Sequence, residues 1–171
     1  MSDKVLITGS SGFLGSHLAD HLEKLGYNTN LFDVTPSNYK TPNQKEFVGD
    51  ILNIDDIDKA VKGCKYIFHM AGQADISKSS QNPLKTLNSN IIGTANLLES
   101  AIKNKIDRFF FASTIYVYSE LGSFYRVSKQ ACEKMLEEYS KNNDLKYTIL
   151  RYGSLYGPRS NSFNFVSNSL T

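Results

Sequence analysis

Val5-Leu6-Ile7-Thr8-Gly9-Ser10-Ser11-Gly12-Phe13-Leu14-Gly15 is the stretch that decides the fold. Its first four residues are apolar or β-branched, a short buried-strand pattern, and Gly9 ends it. Beyond the turn, Phe13, Leu14, His17, Leu18, His21, Leu22 and Leu25 recur at helical spacing until Gly26 closes the run. Strand, glycine turn and helix follow one another without a gap. Glycines at 9, 12 and 15 let the backbone turn tightly and let a pyrophosphate approach the amides closely. The helix N-terminus adds unpaired N–H donors and a partial positive charge. Ser11, Phe13 and Leu14 complete the candidate phosphate cradle. A tight strand–helix turn that binds nothing can use the same glycines, so the surroundings of the motif have to decide.

Working outward, Asn30-Leu31-Phe32-Asp33 reads as the second strand, with Asp33 at its end. A carboxylate there accepts hydrogen bonds from adenosine ribose hydroxyls and repels a 2′-phosphate. No Arg follows in Val34-Thr35-Pro36, so the pattern favours NAD over NADP. Glu46 to Val48 reads as a third strand, Lys65 to Met70 as a fourth, Arg108 to Ser113 as a fifth and Tyr147 to Tyr152 as a sixth. Helices are expected over Ile54 to Val61, from Pro83 through Ile102 as one long element, and over Tyr125 to Ser140. Strands separated by helices predict a Rossmann-type doubly wound parallel sheet in three α/β/α layers.

Composition sets bounds. The 171 residues suit one domain with a sizeable core. An apolar share of 40% and a charged share of 21% are ordinary for a globular protein. A net charge of +2 makes no case for nucleic acid or a membrane surface. Cys64 and Cys132 form no Cys-x-x-Cys pair, which fits a reducing, cytoplasmic setting. The early first strand leaves no room for a signal peptide, and runs such as Phe109-Phe110-Phe111-Ala112 are too short to span a bilayer. His17 and His21 lie i, i+4, but no third ligand follows at metal spacing; an ordinary helix surface explains them. No metal site is expected. His69, at a strand end, is expected to pack beside the cofactor.

Tyr125-Arg126-Val127-Ser128-Lys129 places a phenol and an ammonium on one helical face. A free phenol is a poor base at neutral pH, and a nearby ammonium lowers its pKa. Such a pair can take a proton from a substrate hydroxyl. The same spacing also occurs on any exposed amphipathic helix. Ser113 and Thr114, at the carboxyl end of strand five, put a hydroxyl where ligands bind in open α/β sheets.

Taken together these motifs resemble the extended short-chain dehydrogenase/reductase superfamily, in its NAD-dependent sugar epimerase/dehydratase branch. Thr8 to Leu18 is similar to that family's opening motif. Gly49-Asp50-Ile51 resembles its adenine-contacting segment, which assigns Asp50 and Ile51 to the base. His69-Met70-Ala71-Gly72-Gln73 resembles the segment along the cofactor, implying roles for Met70, Ala71 and Gly72. Asn90-Ile91-Ile92-Gly93-Thr94 resembles a helix motif in which Asn90 supports the active-site strand. Ser113-Thr114-x-x-Val117-Tyr118 is similar to that strand, so the resemblance makes Thr114, Tyr125 and Lys129 catalytic, with Tyr125 and Lys129 also touching the cofactor. Leu150 to Arg159 resembles the motif that closes the cofactor domain and adds Tyr152 to its wall.

The resemblance covers residues 4–159 and implies a nucleotide-sugar substrate and a homodimer through helices 84–103 and 125–141. Three features depart from it. Ile115-Tyr116 stands where 4,6-dehydratases carry an acidic pair, which argues against dehydration. Six residues separate Tyr118 from Tyr125, where relatives insert a longer loop. Relatives also continue well beyond Gly157-Pro158-Arg159. Residues 1–159 are therefore expected to form the NAD-binding domain and 160–171 to begin a substrate lobe, with Phe163, Phe165, Val166 and Leu170 at loose helical spacing. Two other readings stand beside an epimerase: a non-catalytic NAD-binding module that needs a separate substrate domain, and a simple NAD-dependent alcohol dehydrogenase.

Overall fold

The computed structural model describes residues 3–160. Of the stretch 160–171, expected to begin a substrate lobe, all but Ser160 lies outside the described residues, including Phe163, Phe165, Val166 and Leu170. Six strands, β1 (Lys4–Thr8), β2 (Asn28–Asp33), β3 (Lys45–Val48), β4 (Tyr66–His69), β5 (Arg108–Thr114) and β6 (Tyr147–Tyr152), form one sheet in the order β3-β2-β1-β4-β5-β6. Every pairing is parallel, for example Thr8 beside both Phe32 and His69. The chain winds outward from β1 to β3, returns to β4, and winds the other way. This reversal places a crevice at the carboxyl ends of β1 and β4, the position where open α/β sheets bind ligands.

The helices are α1 (Phe13–Lys24), α2 (Ile54–Val61), α3 (Ile76–Gln81), α4 (Pro83–Leu87), α5 (Gly93–Lys103) and α6 (Ser123–Asn143). Alternate strand residues face opposite sides. Leu6, Phe32, Ile67, Phe109 and Phe111 pack with residues of α2, α5 and α6 in the larger core. Val5, Ile7 and Leu31 pack against Ala19 and Leu22 of α1 on the other side. Both sides of the central strands are buried, which is why they read as continuous apolar runs.

Two expected elements change. The long helix from Pro83 breaks at a π-helical turn, Asn88–Ile92, between α4 and α5. There the Asn90 carbonyl accepts from the Thr94 hydroxyl at 2.5 Å and the Cys132 thiol at 3.2 Å. The Gly93 amide is a third donor to the same carbonyl, so backbone and side-chain donors share it within the π-helical turn. The segment before Pro83 holds an unforeseen helix, α3, capped by Asp75, whose Oδ1 accepts from the Lys78 amide at 3.1 Å. No helix among the described residues is long and apolar enough to cross a membrane. They also contain no group of three or more His, Cys, Asp or Glu that could hold a metal ion.

Candidate active site

A cleft of about 790 Å³ runs along the carboxyl edge of the sheet. Gly9, Gly12, Phe13, Leu14 and Gly15 form its floor at the switch point. Gly9 has φ +70°, and a Cβ on it would lie 2.6 Å from the Ala71 amide nitrogen. A Cβ on Gly15 would lie 2.2 Å from the Gly9 carbonyl oxygen. Only glycine lets β1, the loop after β4 and α1 meet this closely. No side chain of the described residues caps α1 at Gly12, and its first turn carries no acidic residue. Its first amides therefore face the cleft without an intrahelical partner, as an anion-binding end requires.

Asp33 stands at one end of the cleft with Asp50 and Ile51. Its Oδ2 accepts from the Ser11 amide at 3.0 Å and its Oδ1 from the Thr35 amide at 3.3 Å. Each oxygen keeps a lone pair for a ribose hydroxyl. Ser11 is not a lining residue. Its hydroxyl donates to the Thr35 carbonyl at 2.7 Å, so its part is to hold Asp33 against the glycine turn. Met70, Ala71 and Gly72 line the middle of the cleft as expected.

Thr114, Tyr125, Lys129 and Tyr152 share the far end. The Lys129 ammonium donates to the Ala112 carbonyl at 2.8 Å and lies 4.6 Å from the Phe111 ring centre and 5.9 Å from that of Tyr125. Burial pushes its pKa down to about 8, against the opposing pull of Cys132 and Glu133. Burial also holds the Tyr125 phenol above its ordinary value; a hydrogen bond with Thr114 lowers it and nearby Tyr116 raises it. The expected lowering of that phenol by Lys129 is therefore not what this arrangement produces: the ammonium is directed at Ala112, and desolvation wins. Burial likewise raises the Tyr152 phenol.

Two other expected residues sit elsewhere. Asn90 is 2% exposed and outside the lining. It accepts from the Gln73 amide at 2.7 Å and donates to the Gln73 carbonyl at 3.1 Å and to Ser128 at 2.8 Å. It thus ties the loop after β4 to α6, not to β5. His69 is buried below the cleft, between the hydroxyls of Thr8 at 2.8 Å and Thr94 at 2.9 Å. Because Thr94 donates to Asn90, His69 donates from Nε2 and accepts at Nδ1. Burial, helped by the Lys129 charge, pushes its pKa down to about 3, so it is a neutral structural link.

Sequence reading missed Gln73, Tyr116, Lys85, Ser89 and Gly153 to Leu155, all of which line the cleft. Gln73 and Gly153 to Leu155 lay inside motifs quoted above without a role of their own, Tyr116 stood out only as a departure from the dehydratase pattern, and Lys85 and Ser89 left no trace.

The strand order, the glycine turn and the cleft at the switch point define a dinucleotide-type α/β domain. The chain belongs to the NAD dependent epimerase/dehydratase family, whose sequence profile matches residues 5–171. It is similar to a Methanocaldococcus jannaschii protein provisionally named UDP-glucose 4-epimerase, at 33% identity, over 91% of this chain and 57% of that protein. Among solved structures it is similar to the Thermotoga maritima UDP-glucose 4-epimerase with UDP-glucose (TM-score 0.86, 31% identity, 91% of this chain and 57% of that one). It is also similar to the Thermus thermophilus UDP-glucose 4-epimerase in complex with NAD (TM-score 0.85, 29% identity, 92% and 57%). The chain thus spans little more than half the length of these relatives.

Proposed function

We propose that this chain is the NAD-binding half of a nucleotide-sugar epimerase. The observation that carries the reading is the convergence of Thr114, Tyr125 and Lys129 on one end of a cleft whose other end is the glycine turn and Asp33. The uncapped first turn of α1 fits a pyrophosphate, and the free lone pairs of Asp33 fit a ribose. Phe13, Leu14, Asp50, Ile51, Met70, Ala71, Gly72 and Tyr152 would form the remaining walls. NAD, when bound, supplies a hydride acceptor that can return the hydride to the substrate.

The chain's own residues would handle the proton. Thr114 would hold the reacting sugar oxygen, and Tyr125 would take its hydroxyl proton. Lys129 spends one of its three donors on Ala112 and keeps two for a ribose and for the reacting end. Since burial favours the protonated Tyr125 phenol, base action requires positive charge closer to the phenol than Lys129 lies here. Ile115 and Tyr116 carry no carboxylate, which favours epimerisation over dehydration.

Residues 1–159 would form the cofactor domain, acting with a substrate lobe and as a homodimer in a reducing cytoplasm. In support of the dimer, Leu84, Ile92 and Val127 are exposed on the helices expected to pair. Tyr125→Phe is expected to cut UDP-glucose/UDP-galactose interconversion by about 100-fold or more while calorimetry still shows NAD binding. Wild-type turnover in that variant refutes the assignment. A second reading is an NAD-binding module that works with a separate lobe. Its sign would be NAD binding by this chain without binding of any UDP-, GDP-, CDP- or dTDP-sugar.

A further inference from the structure

Glu133 is a carboxylate 6% exposed in α6, one turn beyond Lys129. A buried carboxylate is costly unless every oxygen is paired. Here Oε1 accepts from the Ser113 hydroxyl at 2.5 Å and from Arg151 Nε at 3.0 Å, while Oε2 accepts from Arg151 Nη2 at 2.8 Å. Arg151 extends the chain of contacts: its Nη1 donates to the Tyr118 hydroxyl, and its guanidinium lies 4.9 Å from the Tyr118 ring centre. One carboxylate therefore joins α6, the end of β5, the edge strand β6 and the 3-10 turn Ile115–Tyr118.

The spacing gives this network a purpose. Tyr125, Lys129 and Glu133 are i, i+4 and i+8, a stripe along one face of α6. Each faces the last residues of β5: Tyr125 shares the cleft wall with Thr114, Lys129 bonds the Ala112 carbonyl, and Glu133 bonds Ser113. Three successive helical turns thus meet three successive strand residues, two of them through hydrogen bonds. The first two contacts involve groups that must stay free to bind a ligand. The third does not, and an Arg locks it from the side.

We infer that Glu133, held by Arg151, is a positioning residue that sets the register of α6 on β5, so that the Tyr125 phenol meets the Thr114 hydroxyl and the Lys129 ammonium points into the cleft. This rests on the reading of Tyr125, Thr114 and Lys129 as the reacting groups. The network also carries charge to Lys129. The groups around that ammonium are Tyr125, Cys132 and Glu133 of α6, neutral His69 of β4, and the Ala112 carbonyl and Phe111 ring of β5. Arg151 of β6 stands behind Glu133. Glu133 is the only carboxylate in that set, and it raises the proton affinity that burial lowers.

The test is the titration of Lys129 in the intact 171-residue chain, followed through its 15Nζ resonance and assigned by loss in Lys129→Met. Glu133→Gln is expected to move the midpoint down by about one pH unit. Arg151→Gln, in which Glu133 keeps its charge without its guanidinium, is expected to move it up. If Glu133→Gln does not fold, the sign in Arg151→Gln decides alone. Both variants are expected to shift Tyr125 relative to Thr114, read as a changed titration of the 13Cζ-labelled Tyr125 phenol. Loss of thermal stability with both titrations unchanged overturns the inference, and so does a downward shift in Arg151→Gln. Calorimetry of wild-type protein with NAD tests the parent reading separately, because these titrations need no cofactor.

Discussion

At the scale of single residues, the site depends on atoms that are missing as much as on atoms that are present. Gly15 lies so close to the Gly9 carbonyl that one added methyl group would fall at 2.2 Å from it. Backbone, not a flexible side chain, occupies that space, so the turn itself must move. Gly15→Ala is expected to weaken NAD binding by about tenfold or more, equivalent to at least ~1.4 kcal/mol, in a titration calorimeter. Full affinity in the variant would show that the turn is not the phosphate cradle. His69 illustrates the opposite situation, a polar ring buried with both nitrogens satisfied. Its folded pKa of about 3 lies below the unfolded value of 6.5. Above pH 6.5 neither state holds the proton, and His69 makes stability independent of pH. Below it the unfolded chain gains a proton that the native state refuses. Stability then falls by up to ~1.4 kcal/mol per pH unit until about pH 3. Urea unfolding between pH 7 and pH 4 should show a shallower decline in His69→Gln than in the wild type.

At the scale of elements, the strands were legible and the helices on one side of the cleft were not. Buried parallel strands announce themselves as apolar runs ended by glycine or polar residues, and β1, β5 and β6 did so within a residue or two. The segment from Gln73 to Ile92 gives mixed signals. Its serines and asparagines have little helix preference, yet the Asp75 cap starts one short helix and Pro83 in the first turn starts a second before the π-helical turn. An aspartate three residues ahead of an unpaired amide was the available signal. Asp75→Ala is expected to cost about 1 kcal/mol in chemical denaturation and to raise hydrogen exchange across 76–81, since this cap starts α3. An unchanged exchange pattern would mean that α3 is held by packing against α6 alone.

At the scale of the whole molecule, the two sides of the sheet are clothed unequally. Among the described residues, α2, α5 and α6 contribute to the larger core, while α1 alone supplies the helix residues of the smaller one. On that second side Phe68 and Phe110 stack at 4.2 Å between ring centres and remain partly exposed. The exposed Leu84, Ile92 and Val127 lie on the helices of the other side. If those helices pair between two copies, sedimentation should give a dimer that Val127→Glu converts to monomer with NAD binding intact. A wild-type monomer at tens of micromolar would remove the dimer from the proposal.

By itself the sequence determined the fold class, the glycine turn at Gly9 to Gly15, the carboxylate of Asp33 at the end of β2 and which residues are candidates for the reaction. These features depend on local geometry: the period of a strand or helix, the freedom of glycine, and the i, i+4 spacing of Tyr125 and Lys129. Tertiary structure alone decided which of those groups meet. It took Asn90 and His69 out of the cleft, made Ser11 a brace for Asp33, brought Tyr116 to the phenol, and set Glu133 between Ser113 and Arg151. Contacts between residues far apart in the chain follow from strand register and from how helices settle on the sheet. Those are properties of packing, and no local pattern in the sequence encodes them.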